Sequence, residues 1–364
     1  MRRGVVAAAA LAAMLLSPRA LVAQAATRSL VVRVVTTPEG APLGYSVVQV
    51  PGSGVERFTN ASGVVAVPVP ATGPVRLVVK RLGFTPKDTT VALGDGASPA
   101  VTVALARVSF RLDAVKVVAW PPCRRPGLGR RSGASDEVRA VVEQLRQNAE
   151  RYRLLTTDYP FIYLSRRDFG VKQQDGRETY DRTDTIRVSG RPDWSYRPGT
   201  LVARETNADG SREWVMRIPS IADLASDLFI DNHCFHVAGL EEKGGQRLLR
   251  IDIIAADRLK GTDVTVVAWL DPNGFALRHA TFTLSRVPPQ FPDLLTMSSR
   301  VEYAELIPFV PVMELMVAES LMRGRTRGAP AQVGLERQRI ERVLFVGATP
   351  EGLALDSVPS TPRP

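Results

Sequence analysis

Residues 262–284 read TDVTVVAWLDPNGFALRHATFTL. Two apolar runs flank Asp271-Pro272-Asn273-Gly274, a tight-turn tetrad, so the stretch is predicted to fold as a β-hairpin. In its first run Val264, Val266, Ala268 and Leu270 alternate with Asp263, Thr265, Val267 and Trp269. That period of two belongs to a strand with one buried face. Further strands are predicted around it at 161–164, 185–188, 213–216, 248–253, 300–306 and 343–346, with another beginning at Cys234. Ahead of them Ser135 is placed to cap a helix, with Asp136 and Glu137 in the first turn. Val138, Val141, Val142, Leu145, Ala149 and Tyr152 then follow at helical spacing. Ile221, Leu224, Ala225 and Leu228 mark a short helical patch between residues 218 and 230. Residues 135–350 are thus expected to form an α+β domain, a helix with a curved antiparallel sheet.

Residues 27–106 carry a different signal. Short β-branched runs at 30–35, 46–50, 64–67, 75–79 and 101–105 are separated by strong turn sequences at 38–40, 51–54, 60–63 and 72–74. Strands this short and this evenly spaced point to a small β-sandwich. The order Gly40-Ala41-Pro42-Leu43, Thr59-Asn60-Ala61-Ser62-Gly63, Arg81-Leu82-Gly83-Phe84 resembles the carboxypeptidase regulatory-like domain, a transthyretin-like β-sandwich found in exported bacterial proteins. Asn60 stands where that family usually has Asp, a change an Asx-type turn tolerates. The run 110–119 resembles the segment that follows such domains in TonB-dependent receptors. The remaining chain is too short for a receptor barrel, which excludes a receptor. The strand pair within 248–284 resembles, by pattern, the half-barrel of exported lipoprotein carriers. The expected fold is therefore mainly β: an N-terminal transthyretin-like β-sandwich plus a C-terminal α+β domain. Residues 107–134, rich in Pro, Gly and Arg around Cys123, read as a basic linker, and residues 351–364 as a disordered tail.

Composition bears on compartment. Arg2 and Arg3, an apolar run of about a dozen residues, and Ala23-Gln24-Ala25 have the layout of a signal peptide over 1–25. No later segment approaches the length of an apolar membrane span, and no cysteine adjoins the cleavage point to carry a lipid. Without Arg2, Arg3 and Arg19 the formal charge falls from +10 to +7, a moderate excess. Nucleic acid is an improbable partner for an exported chain. Anionic lipid or polysaccharide could be attracted, but a solvated basic surface is the simpler reading of the charge. The expected location is the periplasm, the periphery of the outer membrane, or outside the cell.

The chain has three histidines and two cysteines, and FIDNHCFHV at 229–237 gathers three of these five residues. His233 and His236 do not assemble three or four metal ligands without distant help from Asp231 or His279, and no second Cys/His pair exists. A catalytic thiol would need a spatial base and would oxidise on export. Two cysteines in an exported chain favour a Cys123–Cys234 disulfide, closing a loop of about 110 residues that in the chain-entropy model removes about 4–5 kcal/mol of unfolded-state freedom.

Enzyme signatures are absent: no His-x-x-Glu, no His-Glu-x-x-His and no Gly-x-Ser-x-Gly, while Gly127-Leu128-Gly129 lies in the linker. The acidic spacing Asp223, Asp227, Asp231 reads as a solvated helix face rather than a glycosidase pair. Met313, Met316 and Met322, in LIPFVPVMELMVAESLM (306–322), could line an adaptable apolar surface, although a buried core strand explains them too.

The sequence therefore suggests a non-enzymatic, exported binding or envelope-assembly protein with no cofactor, no metal and no catalytic residue assigned. Asp231, His233 and His236 are the possible binding residues, and an unknown envelope protein, lipid or polysaccharide the partner. The alternatives are carbohydrate binding by the sandwich, whose aromatics are Tyr45, Phe58 and Phe84, and a hydrolase centred near His236.

Overall fold

A computed structural model of the chain describes residues 27–93, 99–108, 120–206, 210–324 and 331–353. The expected signal peptide, residues 109–119 of the expected linker and residues 354–364 of the expected tail lie outside them.

The N-terminal unit has two facing sheets. In one, β1 (Thr27–Thr37) pairs antiparallel with β4 (Val64–Pro70) and parallel with β7 (Ala100–Ala106). The other runs β3 (Val55–Phe58), β2 (Val47–Val50), β5 (Pro74–Lys80), β6 (Lys87–Ala92). Alternate residues such as Leu30, Val32, Val34, Leu77 and Val79 are fully buried between the sheets. β3 and β6 escape the sequence reading because they are edge strands: VERF and KDTTVA keep little apolar surface to show a period of two.

The second unit begins with α1 (Asp136–Asp158), whose first turn is closed by Ser135 Oγ accepting from the Val138 amide at 3.2 Å. Two strands follow, β8 (Phe161–Lys172) and β9 (Glu178–Ser189). The chain then leaves the sheet for a separate hairpin, β10 (Val202–Thr206) and β11 (Arg212–Met216), and two helical turns, α2 (Ile221–Leu224) and α3 (Asp227–Ile230). It returns as a meander: β12 (His233–Lys243), β13 (Gln246–Ala255), β14 (Val264–Leu270), β15 (Leu277–Leu284), β16 (Leu294–Ile307), β17 (Val310–Met322) and β18 (Gln332–Phe345). β18 pairs with β8, which completes a nine-stranded, wholly antiparallel curved sheet in the order β12 to β18, β8, β9. The fold class is mainly β, and among the described residues no helix is long and apolar enough to cross a membrane.

α1 is buried on two faces. Val141, Val142, Leu145 and Leu155 are fully covered within the core shared with the sheet. Gln144, Gln147, Asn148 and Arg151, which a purely amphipathic helix would leave in water, are also at most 1% exposed. Several of their bonds reach turns of both units. Gln144 accepts from the Gly83 amide at 2.8 Å, and Asn148 donates to the Phe275 carbonyl and accepts from the Leu277 amide. Arg151 donates to the carbonyls of Tyr45 and Phe309 at 2.5 and 2.8 Å. Gly83, at φ +82°, leaves only 2.9 Å between a notional Cβ and the Asn273 carbonyl oxygen. Any side chain there would push apart the Arg81–Phe84 turn and the Asp271–Gly274 turn, which meet at this point.

Three expectations change. The helical patch at 218–230 breaks in two because Ser226 caps α3. Asp223, expected on a solvated face, is 4% exposed: it closes a capping box with Ser220 and accepts from the Tyr196 amide at 2.6 Å. The described part of the linker, 120–134, is pinned rather than loose. Its Gly127 amide donates to the His233 carbonyl, and its Cys123 carbonyl accepts from the Asp257 amide. At the start of the expected tail, Leu353 packs against the core of the second unit.

Candidate ligand pocket

Cys123 and Cys234 are joined by a disulfide, with Cα atoms 5.7 Å apart. Residues alternate faces along β12. His233 and Phe235 therefore point toward the helix side, where Phe235 joins the core, and Cys234 and His236 toward the outer side. His233 is fully buried, stacked on Phe229 at 3.8 Å, with one ring nitrogen 2.7 Å from the Phe229 carbonyl and the other 3.1 Å from that of Val264. Asp263, also buried, lies 3.5 Å away and accepts from the Tyr196 hydroxyl at 2.7 Å. His233 is thus sealed in a packed network, with no ligand-facing surface.

His236 stacks on Trp120 at 4.3 Å, and the Trp120 indole donates to Asp252 at 2.6 Å. Asp231 sits exposed at the end of α3. The three residues proposed for binding therefore point three ways, and a hydrolytic site built on them has no common cavity. His279 lies on the outer face, opposite Trp269 and Glu302 in the strand register. Among the described residues no group of three His, Cys, Asp or Glu side chains is placed to hold a metal ion. The aromatics offered for sugar stacking turn inward: Phe84 is 4% exposed, Phe58 packs against the second unit's core under the Arg151 guanidinium, and the Tyr45 hydroxyl lies against Gly352.

An apolar concavity lies on the helix side of the large sheet. It has a volume of about 220 Å³ and is lined almost entirely by apolar surface. Tyr152 of α1, Tyr163 of β8, Val301 and Tyr303 of β16, and Met313 and Met316 of β17 form its floor and walls; Val188–Pro192 and Ile218–Ile221 form its rim. Met313 and Met316 are three apart, which in a regular strand would send them to opposite faces. The register shift between Glu302 and Tyr303 makes Glu314 an extra residue on β17, so that Met313 pairs with Tyr303 and Met316 with Val301. One bulge thereby delivers both thioethers to the same pocket.

Two of the three floor hydroxyls, those of Tyr152 and Tyr163, are spent internally. Tyr152 Oη donates to the Gly190 carbonyl at 2.5 Å, and Tyr163 Oη, 3.2 Å from Tyr152 Oη, then donates to Tyr152. Burial pushes the Tyr152 phenol up to about 12 and raises those of Tyr163 and Tyr303. The lining is therefore neutral at any physiological pH. Gly190 has no room for a side chain, since a Cβ would meet the buried Phe161 ring at 2.4 Å. The sequence signals the two methionines and places Tyr152 and Tyr163 on consecutive elements, α1 and β8, but only the fold brings Tyr303 of β16 to them.

A larger groove, about 660 Å³, runs between the β12–β13 and β14–β15 turns. Its lining mixes Arg247 and Arg278 with Asp271, Glu302 and Glu314, and Arg278 is already paired to Glu305 at 2.8 Å. Burial, with Glu302 close by, raises the Glu314 carboxyl. This groove is open, polar and charge-compensated, so the smaller apolar concavity is the better-defined site.

No family model and no curated protein matches the chain. Among solved structures, a DUF1329 family protein from Desulfovibrio piger matches at 13% identity and a TM-score of 0.33, covering 59% of this chain and 96% of that one. A LolA superfamily protein from Nitrosomonas europaea matches at 13% identity and a TM-score of 0.29, covering 58% and 95%. Likeness of this depth says nothing about what the pocket holds.

Proposed function

We propose that this is a non-enzymatic binding protein of the cell envelope that holds a slender apolar ligand between α1 and the large sheet. The observation carrying this reading is the pocket itself: an apolar concavity in which the Tyr152 and Tyr163 hydroxyls are already hydrogen-bonded and whose methionines can adapt to a flexible chain. At about 220 Å³ it is smaller than the roughly 300–1,000 Å³ of drug-sized sites. A single alkyl chain or one apolar side chain of a partner suits it better than a ring system. Export is supported by the N-terminal residues and by the disulfide, which persists in an oxidising compartment. The N-terminal unit is read as a carboxypeptidase regulatory-like module acting as a spacer and support for α1.

Titration with a series of fluorescent fatty acids of increasing length tests this reading. Each methylene sheltered in the pocket is worth about 0.8 kcal/mol, so affinity should rise about fourfold per carbon until the pocket is full. Met316→Trp, which fills the cavity, should abolish the series. Length-independent binding, or equal binding by the variant, would count against the pocket.

A further inference from the structure

The hairpin β10–β11 forms a two-stranded sheet of its own, apart from the nine-stranded sheet. Its register pairs Arg204 with Trp214 and Thr206 with Arg212, so these four share one face. All four are exposed; Trp214 keeps 44% of its surface open, although a large aromatic normally finds cover in a folded chain. The Arg204 guanidinium lies over the Trp214 ring at 5.9 Å. Glu205 alternates to the other face, where it binds Arg217 at 2.6 Å. The Trp214 face thus carries two unneutralised arginines around one exposed indole, with no carboxylate among its described side chains.

This combination has a physical match. Indoles favour the headgroup depth of a bilayer, and arginines bind lipid phosphate. The position adds a second argument. The hairpin lies within the excursion between β9 and α2, and both ends of that excursion, Gly190–Pro192 and Ile218–Ile221, form the pocket rim. We infer that the Trp214 face of this hairpin docks on an anionic membrane surface and brings the pocket mouth against lipid. The purpose of this docking rests on the binding reading above, but the docking itself can be tested alone.

The test is sedimentation of the mature chain with phosphatidylcholine vesicles, with and without phosphatidylglycerol. Binding should require the anionic lipid, weaken as salt is added, and fall about fivefold for each of Arg204→Glu and Arg212→Glu. Trp214→Ala should also release the protein while leaving its thermal midpoint and its fatty-acid titration unchanged, because the side chain is exposed and is not among the residues lining the pocket. Undiminished sedimentation of these variants, equal binding to phosphatidylcholine alone, or binding to anionic polysaccharide without vesicle binding would overturn the inference. If fatty acids fail to bind while hairpin-dependent vesicle binding persists, the pocket reading falls and the membrane face stands.

Discussion

The His236 ring lies flat on Trp120, and its Nε2 is buried without a hydrogen-bond partner among the described residues, so a second proton there finds none of them to bind. Burial accordingly lowers its pKa below the ordinary 6.5, with Asp252 pulling weakly the other way. In the unfolded chain the ring takes up a proton first as pH falls, so His236 favours the folded state fully above about 6.5. That contribution is lost as pH drops below 6.5 toward the folded value. His236→Phe keeps the stack and removes the titration. Urea unfolding across pH 7 to 5 should show a steeper loss of stability in the native protein than in this variant. His279 is shifted the same way in both and leaves a shared slope; parallel curves would refute the assignment. At this scale the cysteine pair was legible because two sulfurs in an oxidising space have few alternatives. The fate of the histidines was not, since their odd spacing of three along β12 sends His233 inward and His236 outward, and which way each goes is set by the strand pairing.

Helix α1 joins the two units through side chains that its sequence pattern marks as solvent-facing. Arg151 illustrates the cost. Burial, with Arg81 close by, holds its pKa well below the usual value, yet it donates to two carbonyls that no other group serves. Arg81 stacks over Phe309 at 3.4 Å and is itself pushed down to about 10 by burial. Arg151→Ala would leave the Tyr45 and Phe309 carbonyls buried and unpaired, at about 1–3 kcal/mol for each, partly offset by removing a buried charge. The check is chemical unfolding together with limited proteolysis at the junction, where cleavage should quicken. A loss under about 1 kcal/mol would show that water replaces the guanidinium without penalty. The helix, its cap and the 262–284 hairpin could be read in advance because their periods are local. The bulge at Glu314 could not, because it exists only in the pairing of β17 with β16.

Over the whole molecule, the disulfide spans 111 residues and fixes the segment before α1 to the edge strand β12. Reduction, or paired Cys123→Ala and Cys234→Ala replacement, should lower unfolding free energy by about 2–5 kcal/mol. Thermal melts with and without reductant measure this, and coincident melts would mean that the hydrogen bonds of residues 120–134 suffice to hold that segment. The sheet-rich class was visible in turn spacing and alternation. The docking of the units was not, because it uses buried polar side chains that look like surface.

The pairing of β18 with β8 carries a consequence for biosynthesis. Strands β8 and β9 are among the first parts of the large sheet to leave the ribosome and pair with each other, yet among the described strands β8 joins the rest of the sheet through a strand that starts at Gln332. Until that strand arrives, the early ribbon keeps a bare flank open to unwanted partners. Closure of the large sheet therefore waits on residues 332–345, whatever shields the early strands until then.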